Sequence, residues 1–116
     1  MTIQRIDAGP RMSEAVIHNG TIYLAGQIGS PESDISGQTR ETLAEIDALL
    51  ARCGSDRSRI LSATVWLADM GDYAAMNAVW DAWVDKANPP ARATGEVRLF
   101  EPGYRIEIIV VAATGA

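Results

Sequence analysis

The sequence predicts an α+β fold with two helices on one face of a sheet, and three observations point to it. Two β-prone runs joined by Asn19-Gly20 open the chain, two helical apolar stripes bracket an alternating run at 59–67, and two further β-prone runs close it. The resulting order is β-β-α-β-α-β-β, with an additional strand at Ile3 to Ile6.

The first hairpin is "AVIHNGTIYLAG". Asn-Gly accepts the positive φ angles of a two-residue turn, which places strands near Ala15 to His18 and Thr21 to Ala25. After the loop "GSPESD", Ser33 or Asp34 caps a helix whose inward residues recur at Ile35, Thr39, Leu43, Ile46, Leu50 and Cys53, and Gly54 ends it. From Arg59 to Leu67 the alternation puts Leu61, Ala63, Val65 and Leu67 on one face and Ser62, Thr64 and Trp66 on the other. A second helix from about Asp72 to Asp85 carries the stripe Tyr73, Met76, Trp80 and Trp83 or Val84, interrupted by the polar Asn77. "KANPP" stops that helix, and "ARATGEV" and "YRIEIIVVA" follow as strands around the turn "FEPGY".

With two helices to cover a single sheet, the opposite sheet face needs a cover from elsewhere. Glu107 falls on or beside that face with Ile109 and Val111, so another subunit is the expected cover.

The 116 residues fit one domain, 1–116, and 47% hydrophobic content is enough for a core. A net charge of −5 offers no diffuse basic field for nucleic acid, which makes RNA or DNA an unfavoured partner. The single Cys53 excludes an intramolecular disulfide, the N-terminal segment lacks the apolar core of a signal peptide, and no run spans a membrane. A cytoplasmic protein is expected.

His18 is the only histidine and is read as solvent-exposed, so Ser-His-Asp and Cys-His nucleophilic arrangements are disfavoured, and no His/Cys cluster has metal-ligand spacing. Gly26 and Gly29 match neither a phosphate loop nor a dinucleotide fingerprint and are read as serving backbone geometry. Cys53 and the three tryptophans Trp66, Trp80 and Trp83 read as packing residues, and Arg52, Arg57 and Arg59 as a solvated cluster near a helix end. Two candidates remain. Arg92 shares a strand face with Thr94 and Glu96, where a guanidinium binds a small carboxylate in a two-pronged geometry; Glu107 would then activate water. A structural Arg92–Glu107 ion pair, or two unrelated charges at a strand edge, fits the same residues.

The segments "AGQIG", "QTRETLAEIDALLARCGSDRSRILSATVWLADMGDYAAMNAVWDAW", "NPPARATGEV" and "RIEIIVVA" together resemble the Rid or YjgF family of reactive-intermediate deaminases over nearly the whole chain. The resemblance implies a chorismate-mutase-like subunit with a mixed sheet, assembled as a homotrimer with three small-molecule sites between neighbouring subunits. It also implies hydrolysis of enamines and imines derived from amino acids to 2-keto acids and ammonia, with no metal or organic cofactor. On the matching positions, Arg92 holds the substrate carboxylate, Glu107 handles water, strand backbone near Thr94 orients the imine, and Asn77 lies near the cleft. Three positions depart from the best-known pattern: Met12 stands where tyrosine is usual, Ala25 replaces the serine of a Ser-Gly-Gln segment, and Thr94 stands where cysteine is common. These departures bear on substrate range. A non-catalytic metabolite-binding module, and an RNA-cleaving or translation-inhibiting protein, are the alternative functions.

Overall fold

In the computed structural model, which describes residues 2–115, the first hairpin forms at the expected dipeptide. Asn19 and Gly20 take φ of 53° and 76°, joining β2 (Ala15–His18) to β3 (Thr21–Leu24). The additional strand is present as β1 (Gln4–Ile6), antiparallel to β2.

Helix α1 (Ile35–Arg52) starts at Asp34, whose Oδ1 accepts a hydrogen bond from the Gly37 amide at 2.8 Å. It ends at Cys53 and Gly54, where the Ser55 amide reaches back to the Leu50 carbonyl and Gly54 adopts φ of 74°. All six residues of its predicted stripe are buried. Each large apolar member contributes about 1.5–3 kcal/mol by leaving water.

Strand β4 (Ile60–Leu67) differs from simple alternation at its start. Its register against β6 (Ile106–Ala113) shifts between Ile60 and Ser62, so Leu61 is the extra residue of a bulge; Ile60 takes the buried place and Leu61 is exposed. From Ala63 onward the expected faces hold.

Helix α2 (Tyr73–Trp83) is shorter than expected at its C-terminus and follows a 3₁₀ turn at Met70–Asp72. Met76 and Trp80 of its stripe are buried, but Tyr73 is exposed. Asp72 does not cap the helix with its side chain; it pairs with Arg105 through both carboxylate oxygens, at 2.7 and 3.1 Å. That pair ties the start of α2 to the segment leading into β6.

The six strands form one mixed sheet in the order β1-β2-β3-β6-β4-β5, where β5 is Ala91–Glu96. The β4–β5 pair is parallel and the other neighbours are antiparallel. Ile22, Leu24, Ala63, Val65, Leu67, Ile106, Ile108, Val110 and Ala112 form the core with buried residues of both helices. The other face carries Tyr23, Thr64, Trp66, Glu107, Ile109 and Val111, none of them buried. The expected bare face is therefore there, with Glu107 on it.

One surface reading changes and another is extended. His18 is half-buried at the end of β2, where Nε2 meets the side-chain amide of Asn19 at 3.1 Å and Nδ1 is enclosed without a hydrogen-bond partner. Arg52, at the end of α1, and Arg59 are exposed as expected and Arg57 is half-buried, and each also has a partner: Arg52 with Asp7 at 2.8 Å, Arg57 with Asp47 at 2.6 Å, and Arg59 with the Thr114 carbonyl at 2.6 Å. Asp7 and Thr114 come from near the two ends of the chain, whereas Asp47 lies in α1 itself. Among the described residues no helix is long and apolar enough to cross a membrane.

Candidate functional site

Arg92 owes its position to the parallel pairing of β5 with β4. Arg92, Thr94 and Glu96 stand beside Ala63, Val65 and Leu67, whose side chains face the helices, so these three share the helix-side face. Helix α2 then supplies the surroundings. The Arg92 guanidinium carbon lies 5.2 Å from the centroid of the Trp80 ring and 6.0 Å from that of Tyr73. Nη2 is 3.5 Å from the Tyr73 hydroxyl and Nη1 is 4.0 Å from the Met76 sulfur. The negative faces of the rings hold the cation without neutralising it. The three ion pairs among the described residues, Arg52–Asp7, Arg57–Asp47 and Arg105–Asp72, leave Arg92 out. Its fork of donors is thus oriented and without a carboxylate, the condition for capturing one from outside.

Two further predicted residues fall here. Asn77 is one helical turn after Tyr73 and three residues before Trp80, on the stripe that borders Arg92. Thr94 Oγ1 is enclosed and has no hydrogen-bond partner, a state that costs about 1–3 kcal/mol when a hydroxyl is buried. Thr94 is two residues from Arg92 on the same strand face, where its hydroxyl can serve a ligand held by the guanidinium.

Glu107 stands on the other face. It is paired across the strands with Trp66, while its chain neighbours Ile106 and Ile108 point into the core. Its carboxylate leans over Gly26: a Cβ built on that glycine would lie 1.9 Å from Oε2. Burial alone raises the Glu107 pKa above its ordinary 4.5, with neither a cation nor a hydrogen bond opposing the shift. A carboxylate of this kind is a stronger base than one in water, which suits it to accept a proton from water. Ala25 precedes Gly26, and its amide donates to the Glu14 carbonyl at 2.8 Å. Met12 lies two residues before Glu14 on the β1–β2 loop and is half exposed.

The structure therefore gathers Arg92, Thr94 and Asn77 on one side of the sheet and places Glu107 on the other, with Ala25 in the segment after β3 next to Gly26 and Met12 on the β1–β2 loop. Within one chain Arg92 and Glu107 do not meet. An intrachain Arg92–Glu107 ion pair is excluded by the same register, since Arg92 is aligned with Ala63 and Glu107 with Trp66, on opposite faces. Nor does either residue line the larger concavities of the subunit, one of about 430 Å³ under the β5–β6 loop and one of about 470 Å³ between the helices. Each half is an open surface.

Four residues of these halves escaped the sequence. Trp80 packs in the core as its spacing predicts, but no periodicity shows that it and the exposed Tyr73 also flank a cation. Nor does alternation in β4 show that the half-buried Trp66 stands beside Glu107. Gly26 has no positive φ; what requires glycine there is the approach of the carboxylate, a tertiary contact that the local sequence does not record.

Comparisons with known proteins agree with one another over this whole architecture. A family model described as Endoribonuclease L-PSP matches residues 2–114. A RutC family protein of Escherichia coli K12, YoaB, is 50% identical over 113 residues, covering 97% of this chain and 99% of that protein. The human protein named 2-iminobutanoate/2-iminopropanoate deaminase is 36% identical over 110 residues, covering 89% of this chain and 80% of that protein. Among solved structures, a YjgF family member from Neisseria meningitidis superposes with a TM-score of 0.97 at 46% identity, covering 100% of this chain and 98% of that one.

Proposed function

Since the chain belongs to the endoribonuclease L-PSP family, the YjgF/Rid proteins, we propose that it hydrolyses enamines and imines derived from amino acids to 2-keto acids and ammonia. The observation that carries this reading is the pair of complementary halves: a guanidinium held between rings with no carboxylate partner, and a half-buried carboxylate with a raised pKa and no cation. The deaminase names of the human and rat relatives support it.

The chemistry is an addition followed by an elimination. Arg92 binds the carboxylate of a 2-imino acid through two parallel hydrogen bonds. Backbone near Thr94 orients the imine. Glu107 takes a proton from water as the water oxygen attacks the imine carbon, giving a carbinolamine, and the proton passes to nitrogen. Collapse of the carbinolamine forms the carbonyl from the former water oxygen and expels ammonia. Neither step needs a redox partner.

In this reading the working unit is a homotrimer, and the bare sheet face of one copy meets the β5 edge of the next. That assembly would unite Arg92 of one copy with Glu107 of another, and their placement on opposite faces of one chain supports it.

The direct test is ammonia release from a freshly generated 2-imino acid, with the spontaneous rate subtracted. A catalysed rate that exceeds the spontaneous one supports the enzyme. Ligand binding without release of ammonia would identify a binding module instead. RNA cleavage, suggested by the family description, has less support from a chain of net charge −5 with one histidine.

Selectivity follows from the departures at Met12 and Ala25. A thioether and a methyl line the wall where a phenol and a hydroxyl stand in the best-known pattern, so the wall is deformable and poor in hydrogen bonds. Imines from leucine and methionine are expected to be hydrolysed faster than those from alanine and glutamate. Because one methylene in an apolar pocket is worth about 1–3 kcal/mol, the preference should be graded across the series. Generating the four imines in situ with an amino-acid oxidase and comparing the rates checks it, and faster turnover of the alanine or glutamate product contradicts it.

A further inference from the structure

We infer that Gly26 is a positioning residue for Glu107: the missing side chain at position 26 creates the space in which the carboxylate sits, and any Cβ there would expel it. This inference rests on the proposed role of Glu107 and goes beyond it by naming what sets the carboxylate's place.

The geometry is specific. A Cβ on Gly26 would lie 1.9 Å from Glu107 Oε2, 2.8 Å from its Cδ and 3.1 Å from its Cγ, all far inside contact distance. One of the two must yield, and the backbone at Gly26 is fixed on both sides. The Ala25 amide is bonded to the Glu14 carbonyl at 2.8 Å, and Gln27 exchanges two backbone hydrogen bonds with Ile108, at 2.9 and 3.0 Å. The Gln27 side chain adds a bond to the Ala25 carbonyl at 3.0 Å. Glu107 is anchored only by its strand, and its carboxylate end is free to rotate. The displacement therefore falls on the carboxylate.

The backbone itself tolerates alanine, because Gly26 is not among the glycines with positive φ. This separates it from Gly20, where the turn conformation is what requires glycine. Gly26 serves the reacting group by its shape alone.

Gly26→Ala is expected to fold, with an unchanged far-ultraviolet circular dichroism spectrum, and to lose about tenfold or more in kcat, since small misplacements of a catalytic group have effects of that order. Glu107→Asp, one methylene shorter, should relieve the clash. The double variant Gly26→Ala/Glu107→Asp should therefore lose less than the two single losses added together, a coupling between the two sites that independent defects do not show. If Gly26→Ala fails to fold, the double variant carries the test, because relief of the clash should restore its fold.

A second readout does not depend on activity. Carbon-13 NMR titration of the Glu107 carboxyl, assigned by its loss in Glu107→Gln, should show its pKa moving down toward the ordinary value in Gly26→Ala as the group swings out toward water. An unmoved titration would overturn the inference, and so, where Glu107→Gln is impaired, would normal turnover in Gly26→Ala or losses that simply add in the double variant. If instead Glu107→Gln is fully active while the titration moves as expected, the role assigned to Glu107 fails and the positioning by Gly26 stands.

Discussion

Arg92→Lys is expected to lose most of the turnover of the protein while its secondary structure and assembly persist. Two properties of the arginine are at stake. Its planar fork donates to both oxygens of a carboxylate at once, and its delocalised charge lies 5.2 Å from the Trp80 ring centroid, with Tyr73 beyond. A lysine ammonium is a point charge that reproduces neither. Charge-assisted hydrogen bonds contribute about 1.5–3 kcal/mol, so kcat/KM should fall by about tenfold to a hundredfold. Steady-state kinetics on a 2-imino acid, with circular dichroism as a control for folding, reads the effect. Near-normal kcat/KM would remove Arg92 from the site.

Glu107→Gln is expected to lower kcat by about a hundredfold and to leave KM nearly unchanged, because the amide keeps the shape but cannot accept a proton from water. The pH profile sharpens this prediction. A base works in its deprotonated form, and burial raises the pKa of Glu107 above 4.5. Turnover should therefore fall as pH drops through an acid limb lying above 4.5, and Glu107→Gln should abolish that limb. A variant with intact kcat and collapsed binding would make Glu107 a binding residue.

The sequence exposed those parts of the fold that depend on local pattern. The α1 stripe from Ile35 to Cys53 repeats at the helical period, and every member is buried. The Asn19-Gly20 turn follows from the φ angles its residues accept, and the placement of Glu107, Ile109 and Val111 on the bare face follows from strict alternation through β6. What depends on pairing between distant strands was hidden. Leu61 turns outward because β4 bulges against β6, and alternation within β4 carries no sign of it.

The site shows the same division more sharply. Arg92 and Glu107 were identifiable by residue type and by resemblance, but their relation was not. The phase of β5 is set by its parallel register on β4, which aligns Arg92 with Ala63 on the helix side, whereas Glu107 aligns with Trp66 on the other. Each residue shares a face with its own strand's alternate positions, and only the register across the sheet shows that the two faces differ. Tyr73 is a similar case, since helical spacing assigns it to the apolar stripe but the edge position of β5 leaves it beside a guanidinium and open to water.

The central claim is that one catalytic site is completed by two copies of the chain, one giving Arg92 and the other Glu107. Mixing the two inactive variants tests it most directly. Arg92→Lys and Glu107→Gln are unfolded together in equal amounts, refolded, and assayed for ammonia release, with the mass of the assembly checked by light scattering. A site that draws Arg92 from one copy and Glu107 from its neighbour is intact when the first copy is Glu107→Gln and the second is Arg92→Lys. Random assembly then restores about a quarter of the sites in a cyclic oligomer. The account predicts that recovery from two nearly inactive parents, whereas activity that stays at the average of the parents in a mixed oligomer would contradict it.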